Sequence, residues 1–142
     1  MKADITIIGA GIVGLATAYK IQEKNPGLKI QVLEKENRVS AHQTGNNSGV
    51  IHSGIYYKPG SLKARNCTYG YKLLLDYCDE NDIPYEICGK VIVATSEEEL
   101  PQLNKILKNG LANGLKGVKQ ISADETREIE PHVAALKAIW VP

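Results

Sequence analysis

The sequence is short of several things, and each shortage narrows what it can be. It holds only three cysteines among 142 residues, with no Cys-x-x-Cys pair. Cys67 and Cys78 fall on one expected helix, roughly 16 Å apart along its axis, too far for a disulfide. An odd count without metal-ligand spacing argues against both a disulfide framework and a zinc site. All three read as reduced, buried, small apolar side chains. Charge of either sign is not in excess: the formal net charge is +1, which gives no reason to expect nucleic acid or an anionic membrane as a partner. Long apolar runs are missing too. The stretch from Ile5 to Ala18 is broken by three glycines and cannot read as a membrane span. The opening residues Met1-Lys2-Ala3-Asp4 carry an acid and lead into a run too short for a signal h-region. Internal repeats and low-complexity segments are absent. What remains is the composition of an intracellular, cytoplasmic globular protein, 43% hydrophobic and 23% charged.

What is present is concentrated at the start. Asp4-Ile5-Thr6-Ile7-Ile8 is a short β-branched strand, followed at once by Gly9-Ala10-Gly11-Ile12-Val13-Gly14. A helical stretch with Leu15, Ala16, Ala18, Tyr19 and Ile21 comes next, then the Asn25-Pro26-Gly27 turn and a second strand, Ile30 to Leu33. Strand, G-x-G-x-x-G, helix and strand form the dinucleotide-binding fingerprint in its required context. Gly9 permits the tight turn, Gly11 lets backbone N–H groups approach a pyrophosphate, and Gly14 lets helix and sheet pack closely. The helix N-terminus contributes partial positive charge. Glu34, 20 residues after Gly14, stands where a carboxylate accepts from ribose hydroxyls. The bland alternative is an ordinary βα turn with a surface glutamate, and the agreement of all the parts weighs against it.

From Lys35 the chain turns polar, and then comes Gly45-Asn46-Asn47-Ser48-Gly49-Val50-Ile51-His52-Ser53-Gly54. Small residues with free N–H groups suit either a flexible loop or a backbone lying close to a ligand. Its position directly after the nucleotide strand favours the ligand. Ser61 is expected to cap a long helix with Cys67, Tyr71, Leu74 and Cys78 on its inner face, ending at Asn81 to Pro84. Lys63 and Arg65 fall in its first turns, at the positive end of its dipole. Either water solvates them, or Lys58, Lys63 or Arg65 faces a substrate carboxylate or cofactor phosphates. Tyr85 to Ala94 reads as two short strands, or one with a bulge at Gly89. Thr95 or Ser96 is expected to cap a helix running to about Gly110–Asn113, with Leu103, Ile106 and Leu107 inward. A strand over Val118–Ile121, a capping box at Ser122–Glu125, a stop at Pro131 and a strand from Ala138 complete the chain. Nothing after residue 55 has the βαβ rhythm that would finish the first sheet, so the chain reads as an incomplete binding unit.

With Gly9 to Gly14, Glu34-Lys35 and the run from His42 to Gly54 in view, the sequence resembles the L-2-hydroxyglutarate oxidase/dehydrogenase family. That family lies within the FAD-dependent oxidoreductases that include D-amino-acid oxidase. The resemblance continues through Tyr56 to Ala64, Cys88-Gly89-Lys90, Val93-Ala94 and Glu130-Pro131, and so covers essentially the whole chain. The block from His42 to Lys63 is its specific part. It implies an α/β chain: the N-terminal half of a Rossmann-type FAD-binding domain over residues 1–54, then the start of a mixed α+β substrate domain over 55–142. Family members are much longer, so the chain is expected to be a truncated piece, inactive alone.

The family's chemistry implies oxidation of a CH–OH group, with the C2 hydrogen of L-2-hydroxyglutarate passing as hydride to flavin and 2-oxoglutarate as product. The expected cofactor is FAD, bound by Gly9, Gly11, Gly14, Glu34, Lys35, Thr44, Ser48 and Gly49; no metal is expected. Lys58, Lys63 and Arg65 are the candidates for holding the 2-hydroxy acid substrate. His52 is the candidate for a flavin-edge or proton-handling role, since an imidazole takes and gives protons near neutral pH. It can equally serve only to hydrogen-bond backbone. His42 and His132 read as polar loop residues. Family members commonly carry histidine where this chain has Asn46. The resemblance leaves the electron acceptor open between oxygen and a quinone, and leaves open a peripheral association with the inner membrane such as some relatives have. Two other readings stand beside this one: a flavin enzyme of the same class acting on an amino acid, and a non-catalytic dinucleotide-binding fragment. An NAD-dependent dehydrogenase fits less well, because the Gly/Asn/Ser block stands where its βαβ continuation is needed.

Overall fold

The computed structural model describes residues 2–142 and divides into two compact units, the first ending at Val50 and the second spanning Ile51–Pro142. The first contains β1 (Ile5–Ile8), α1 (Ile12–Lys24) and β2 (Ile30–Leu33). β1 and β2 pair in parallel, Ile5 opposite Ile30 and Ile8 opposite Leu33. Parallel pairing requires a crossover, and α1 supplies it. Its inner face is Gly11, Gly14, Leu15, Ala18 and Ile21, a helical spacing of half-buried residues. Asp4 sets the strand entry: its N–H donates to the Lys29 carbonyl at 2.9 Å, and its carboxylate accepts from the Lys29 N–H at 2.8 Å. The strands alternate, with Ile5, Ile7, Ile30 and Val32 half-buried and Thr6, Ile8, Gln31 and Leu33 exposed.

The second unit contains α2 (Leu62–Glu80), β3 (Lys90–Ala94), α3 (Leu100–Ala112), β4 (Lys119–Ser122), α4 (Ala123–Ile129) and β5 (Lys137–Val141). Its sheet is antiparallel in the order β3-β5-β4. Ile55, Ala94, Leu103, Ile106, Val118, Ile139 and Val141 form the core, with Leu107 packed against it. Ile55 is fully buried although it lies in a turn. The side-chain amide of Asn113 holds that turn by donating to the carbonyls of Gly54 (3.3 Å) and Tyr57 (2.9 Å).

Two of the expected helix caps form. Ser61 Oγ accepts from the Ala64 N–H at 3.2 Å, and α2 stops at Glu80. Ser122 and Glu125 form the reciprocal capping box of α4. Four expectations need correction, the first being Leu74, expected on the inner face of α2 but exposed. Tyr85–Cys88 is no strand: its apolar residues alternate, but Gly89 turns the chain at φ +67° and only Lys90–Ala94 pairs. α3 is preceded by a 3₁₀ turn at Glu97–Glu99, and neither Thr95 nor Ser96 caps it; the Glu99 carboxylate instead accepts from the Thr95 N–H at 2.6 Å and hydroxyl at 3.0 Å. Of the cysteines, all free, only Cys78 is buried; Cys67 is half-buried and Cys88 is exposed on the unpaired 83–89 segment.

Candidate functional site

The site of the first unit is built on the exit of β1. Gly9 adopts φ +99°, a conformation that L side chains rarely take, and its N–H donates to the Leu33 carbonyl at 2.7 Å. The first turn of α1 then lies directly on this bend. A Cβ on Gly14 would sit 2.0 Å from the Gly9 carbonyl oxygen, so the approach of helix to strand excludes every other residue. A Cβ on Gly11 would come within 3.2 Å of Thr44 Oγ1. That hydroxyl accepts from the Ile12 N–H at 3.0 Å and caps α1 from a loop 32 residues away. The N–H groups of Gly11, Val13 and Gly14 find no acceptor among the described residues. They are the orphan donors of a helix N-terminus, aimed where an anion is favoured.

Glu34 is held from three sides. Oε2 accepts from the Ala10 N–H at 2.7 Å, while Oε1 accepts from the Lys35 N–H at 2.9 Å and the Glu36 N–H at 3.1 Å. These bonds, that from Ala10 foremost, pull its pKa below the ordinary 4.5. A carboxylate offers about four lone-pair sites, so capacity remains for a hydroxyl. Between the Gly9 turn and Glu34 lies a cleft of about 380 Å³. Its apolar wall is Ile8, 87% exposed, and Leu33, 46% exposed. The opposite wall is the loop from Ser40 to Thr44. Ser40, at φ +57°, donates its N–H to the Ala10 carbonyl at 3.0 Å and accepts from the Gly45 N–H at 3.0 Å. His42 lines the cleft and pairs with the Glu36 carboxylate at 2.9 Å, where Lys35 also approaches at 3.7 Å. Neither Ser40 nor His42 stood out in the sequence as more than loop.

The structure thus gathers Gly9, Gly11, Glu34, Lys35 and Thr44 around one cleft, with Gly14 as its buttress. Ser48 and Gly49 are exposed and do not line it. The Gly49 N–H donates to the Asn47 side chain at 2.6 Å. Asn46 turns its amide to the His42 carbonyl at 2.6 Å, closing the loop on itself. His52, Lys58, Lys63 and Arg65 belong to the second unit and are exposed. The His52 carbonyl accepts from the Cys67 thiol at 3.1 Å. Lys90, which sequence reasoning passed over, is half-buried at the start of β3, its ammonium 5.0 Å from the centre of the Tyr56 ring. Its only local signal is a lysine set between Gly89 and the apolar run Val91-Ile92-Val93.

The free N–H groups, the glycines that a Cβ would fill, and the spare capacity of Glu34 fit the adenosine diphosphate part of FAD. Comparison with known proteins agrees. The FAD dependent oxidoreductase family matches residues 4–142. L-2-hydroxyglutarate dehydrogenase of Indibacter alkaliphilus is 57% identical over 142 residues, all of this chain and 36% of that protein. The mitochondrial L-2-hydroxyglutarate dehydrogenase of Homo sapiens is 50% identical over 139 residues, 98% of this chain and 30% of its own. The chain therefore spans about a third of the length of the curated relatives it matches. Glycine oxidase from Geobacillus kaustophilus superposes with a TM-score of 0.86 at 20% identity, over 99% of this chain and 39% of its own. L-proline dehydrogenase from P. horikoshii gives 0.81 at 23%, over 99% and 37%. No described helix is long and apolar enough to cross a membrane. Fingerprint, cleft and family match together carry one conclusion: the chain belongs to the FAD-dependent oxidoreductase family.

Proposed function

We propose that this chain, at its full natural length, oxidises L-2-hydroxyglutarate to 2-oxoglutarate. The observation that carries the reading is 57% identity to an L-2-hydroxyglutarate dehydrogenase along the entire chain. The fold neighbours acting on amino acids, at 20–23% identity, support only the shared fold. FAD, when bound, supplies the two-electron acceptor for the hydride leaving C2. The chain's residues do the holding. The N–H groups at the start of α1 receive the pyrophosphate, Glu34 takes a ribose hydroxyl, and Ile8 and Leu33 give the adenine an apolar wall. Gly9, Gly11 and Gly14 keep that approach open, Thr44 steadies the helix end, and Lys35 adds a positive charge at the rim. Ser48 and Gly49 would offer a hydroxyl and a backbone N–H to the pyrophosphate or the flavin. Residues 1–54 form the first part of the flavin-binding domain and 55–142 open the substrate domain. In the second unit Lys58, Lys63 and Arg65 attract the dianionic substrate, and His52 receives the hydroxyl proton as the hydride departs.

The test is an anaerobic absorption spectrum of the flavin-loaded protein at full natural length, with L-2-hydroxyglutarate, its D-enantiomer, glycine and L-proline added in turn. Bleaching by the L-hydroxy acid alone is the expected result. Bleaching by an amino acid instead would move the protein to another substrate class, and no bleaching by any would remove the enzymatic reading.

A further inference from the structure

We propose that Lys90 is a further cation of the second unit, beside Lys58, Lys63 and Arg65, and the one that directly holds a carboxylate of the substrate, its ammonium kept in place over the face of Tyr56. The inference rests on the reading of the substrate as a dicarboxylic 2-hydroxy acid and names the residue that recognises it.

Lys90 differs from the other candidate cations. Lys58, Lys63 and Arg65 are exposed, and water meets their charge. Lys90 is half-buried, and burial draws its pKa below the ordinary 10.5. An ammonium carries three donors and accepts nothing. Among the described residues, no hydrogen-bond acceptor and no carboxylate meets Lys90 Nζ, whereas Lys20, Lys35 and Arg127 each have a carboxylate within 4 Å. What it has is the Tyr56 ring, 5.0 Å away at the centroid, a cation–π contact that orients the charge without neutralising it. The nearby Cys67 thiol supplies no counter-charge, because burial raises its pKa and keeps it neutral. A partly desolvated, unpaired ammonium is costly to keep unless an anion completes it.

The surroundings hold the lysine in that position. Lys90 pairs with Val141 at the end of the β3–β5 ladder. Gly89 passes so close to Trp140 that a Cβ there would stand 2.3 Å from the ring, which fixes the path of the chain into the strand. Tyr56 follows Ile55, anchored in the core, and is itself 52% exposed, so a small anion can reach the cation at its ring. The backbone is therefore set before any ligand arrives, which lowers the ordering cost of binding.

The test compares wild type with Lys90→Met, Lys90→Gln and Lys90→Arg in the flavin-loaded protein at full natural length. KM and kcat for L-2-hydroxyglutarate are read together with calorimetric Kd values for 2-oxoglutarate and for 2-oxopentanoate, which lacks the distal carboxylate. Loss of one charge-assisted pair should raise KM and Kd about 10- to 100-fold in the Met and Gln variants, with kcat much less affected. Lys90→Arg should recover most of the loss at an unchanged thermal midpoint. A loss confined to 2-oxoglutarate assigns Lys90 to the distal carboxylate; an equal loss for both ligands with rescue by Arg assigns it to the carboxylate they share. Unchanged Kd values in both charge-removing variants would overturn the proposal. So would equal losses with a lowered midpoint and no rescue by Arg, since that is the signature of a structural lysine. Wild type that turns over amino acids and not L-2-hydroxyglutarate would sink the functional reading, a result distinct from either of these.

Discussion

The hydroxyl oxygen of Thr44 accepts the N–H of Ile12 at 3.0 Å, so a residue 32 positions further along the chain caps the helix that faces the cofactor cleft. The helix has no side-chain cap of its own, since its cap position is Gly11. Glycine there keeps the backbone open to a phosphate, and the cap had to come from elsewhere. Replacing Thr44 by Val should cost about 0.5–2 kcal/mol of stability, the usual range for a lost helix cap. FAD affinity should fall with it, and Thr44→Ser should retain both. Chemical denaturation and flavin fluorescence titration of the two variants provide the check.

Gly14→Ala should be far more damaging than Gly11→Ala. The first places a methyl group 2.0 Å from a backbone carbonyl that cannot move without unmaking the turn. The second meets the Thr44 hydroxyl at 3.2 Å, a side chain that can shift. Overpacking of this kind costs about 1–3 kcal/mol or more. Purified Gly14→Ala should contain little or no flavin, whereas Gly11→Ala should bind it with reduced affinity. Equal flavin content in the two variants would contradict the geometry.

Much of the first unit was legible because its signals are local. The Gly9 bend, the Gly14 contact and the position of Glu34 each follow from residues within one βαβ unit, and the sequence displays them in order. The caps at Ser61 and Ser122 were legible for the same reason. What escaped depends on distant partners. Thr44 could be nominated as a hydroxyl near the cofactor, but not as the cap of Ile12. Lys90 is notable only because Tyr56, 34 positions earlier, lies beneath its ammonium. Tyr85 and Ile87 alternate as a strand does, yet no neighbouring chain pairs with them, and alternation alone cannot supply a partner.

Glu34 should keep its charge to lower pH than an ordinary carboxylate, and its contribution should fade only in acid. Backbone N–H groups, Ala10 first, hold Glu34 below the ordinary value of 4.5 in the folded chain. A depressed carboxylate contributes fully above its unfolded pKa and loses that contribution as pH falls through the folded value. Stability from Glu34 should therefore be complete above about pH 5 and decline below 4.5. Glu34→Gln should flatten this part of the acid limb in circular dichroism melts taken from pH 3 to 7. It should also lower FAD affinity at neutral pH, where the charge no longer assists the hydroxyl it accepts.

Gly110→Ala should destabilise the second unit without touching the cleft. The added carbon would stand 2.8 Å from Ile55 Cγ1, and Ile55 is fully buried in the core. The expected cost is about 1–3 kcal/mol. Combining it with Ile55→Val should recover part of the loss, because the methyl removed lies on the branch that Gly110 faces. Thermal midpoints of the two single variants and the double variant measure that coupling.

The strand order β3-β5-β4 carries a consequence for how the protein is made. β3 and β4 do not pair with each other; both wait for β5, which comes after them in the chain. On a ribosome adding about 5–20 residues per second, β3 is complete some 40 residues before its partner exists. During those seconds its open backbone is a place for chaperones to act, and for neighbouring nascent chains to go astray.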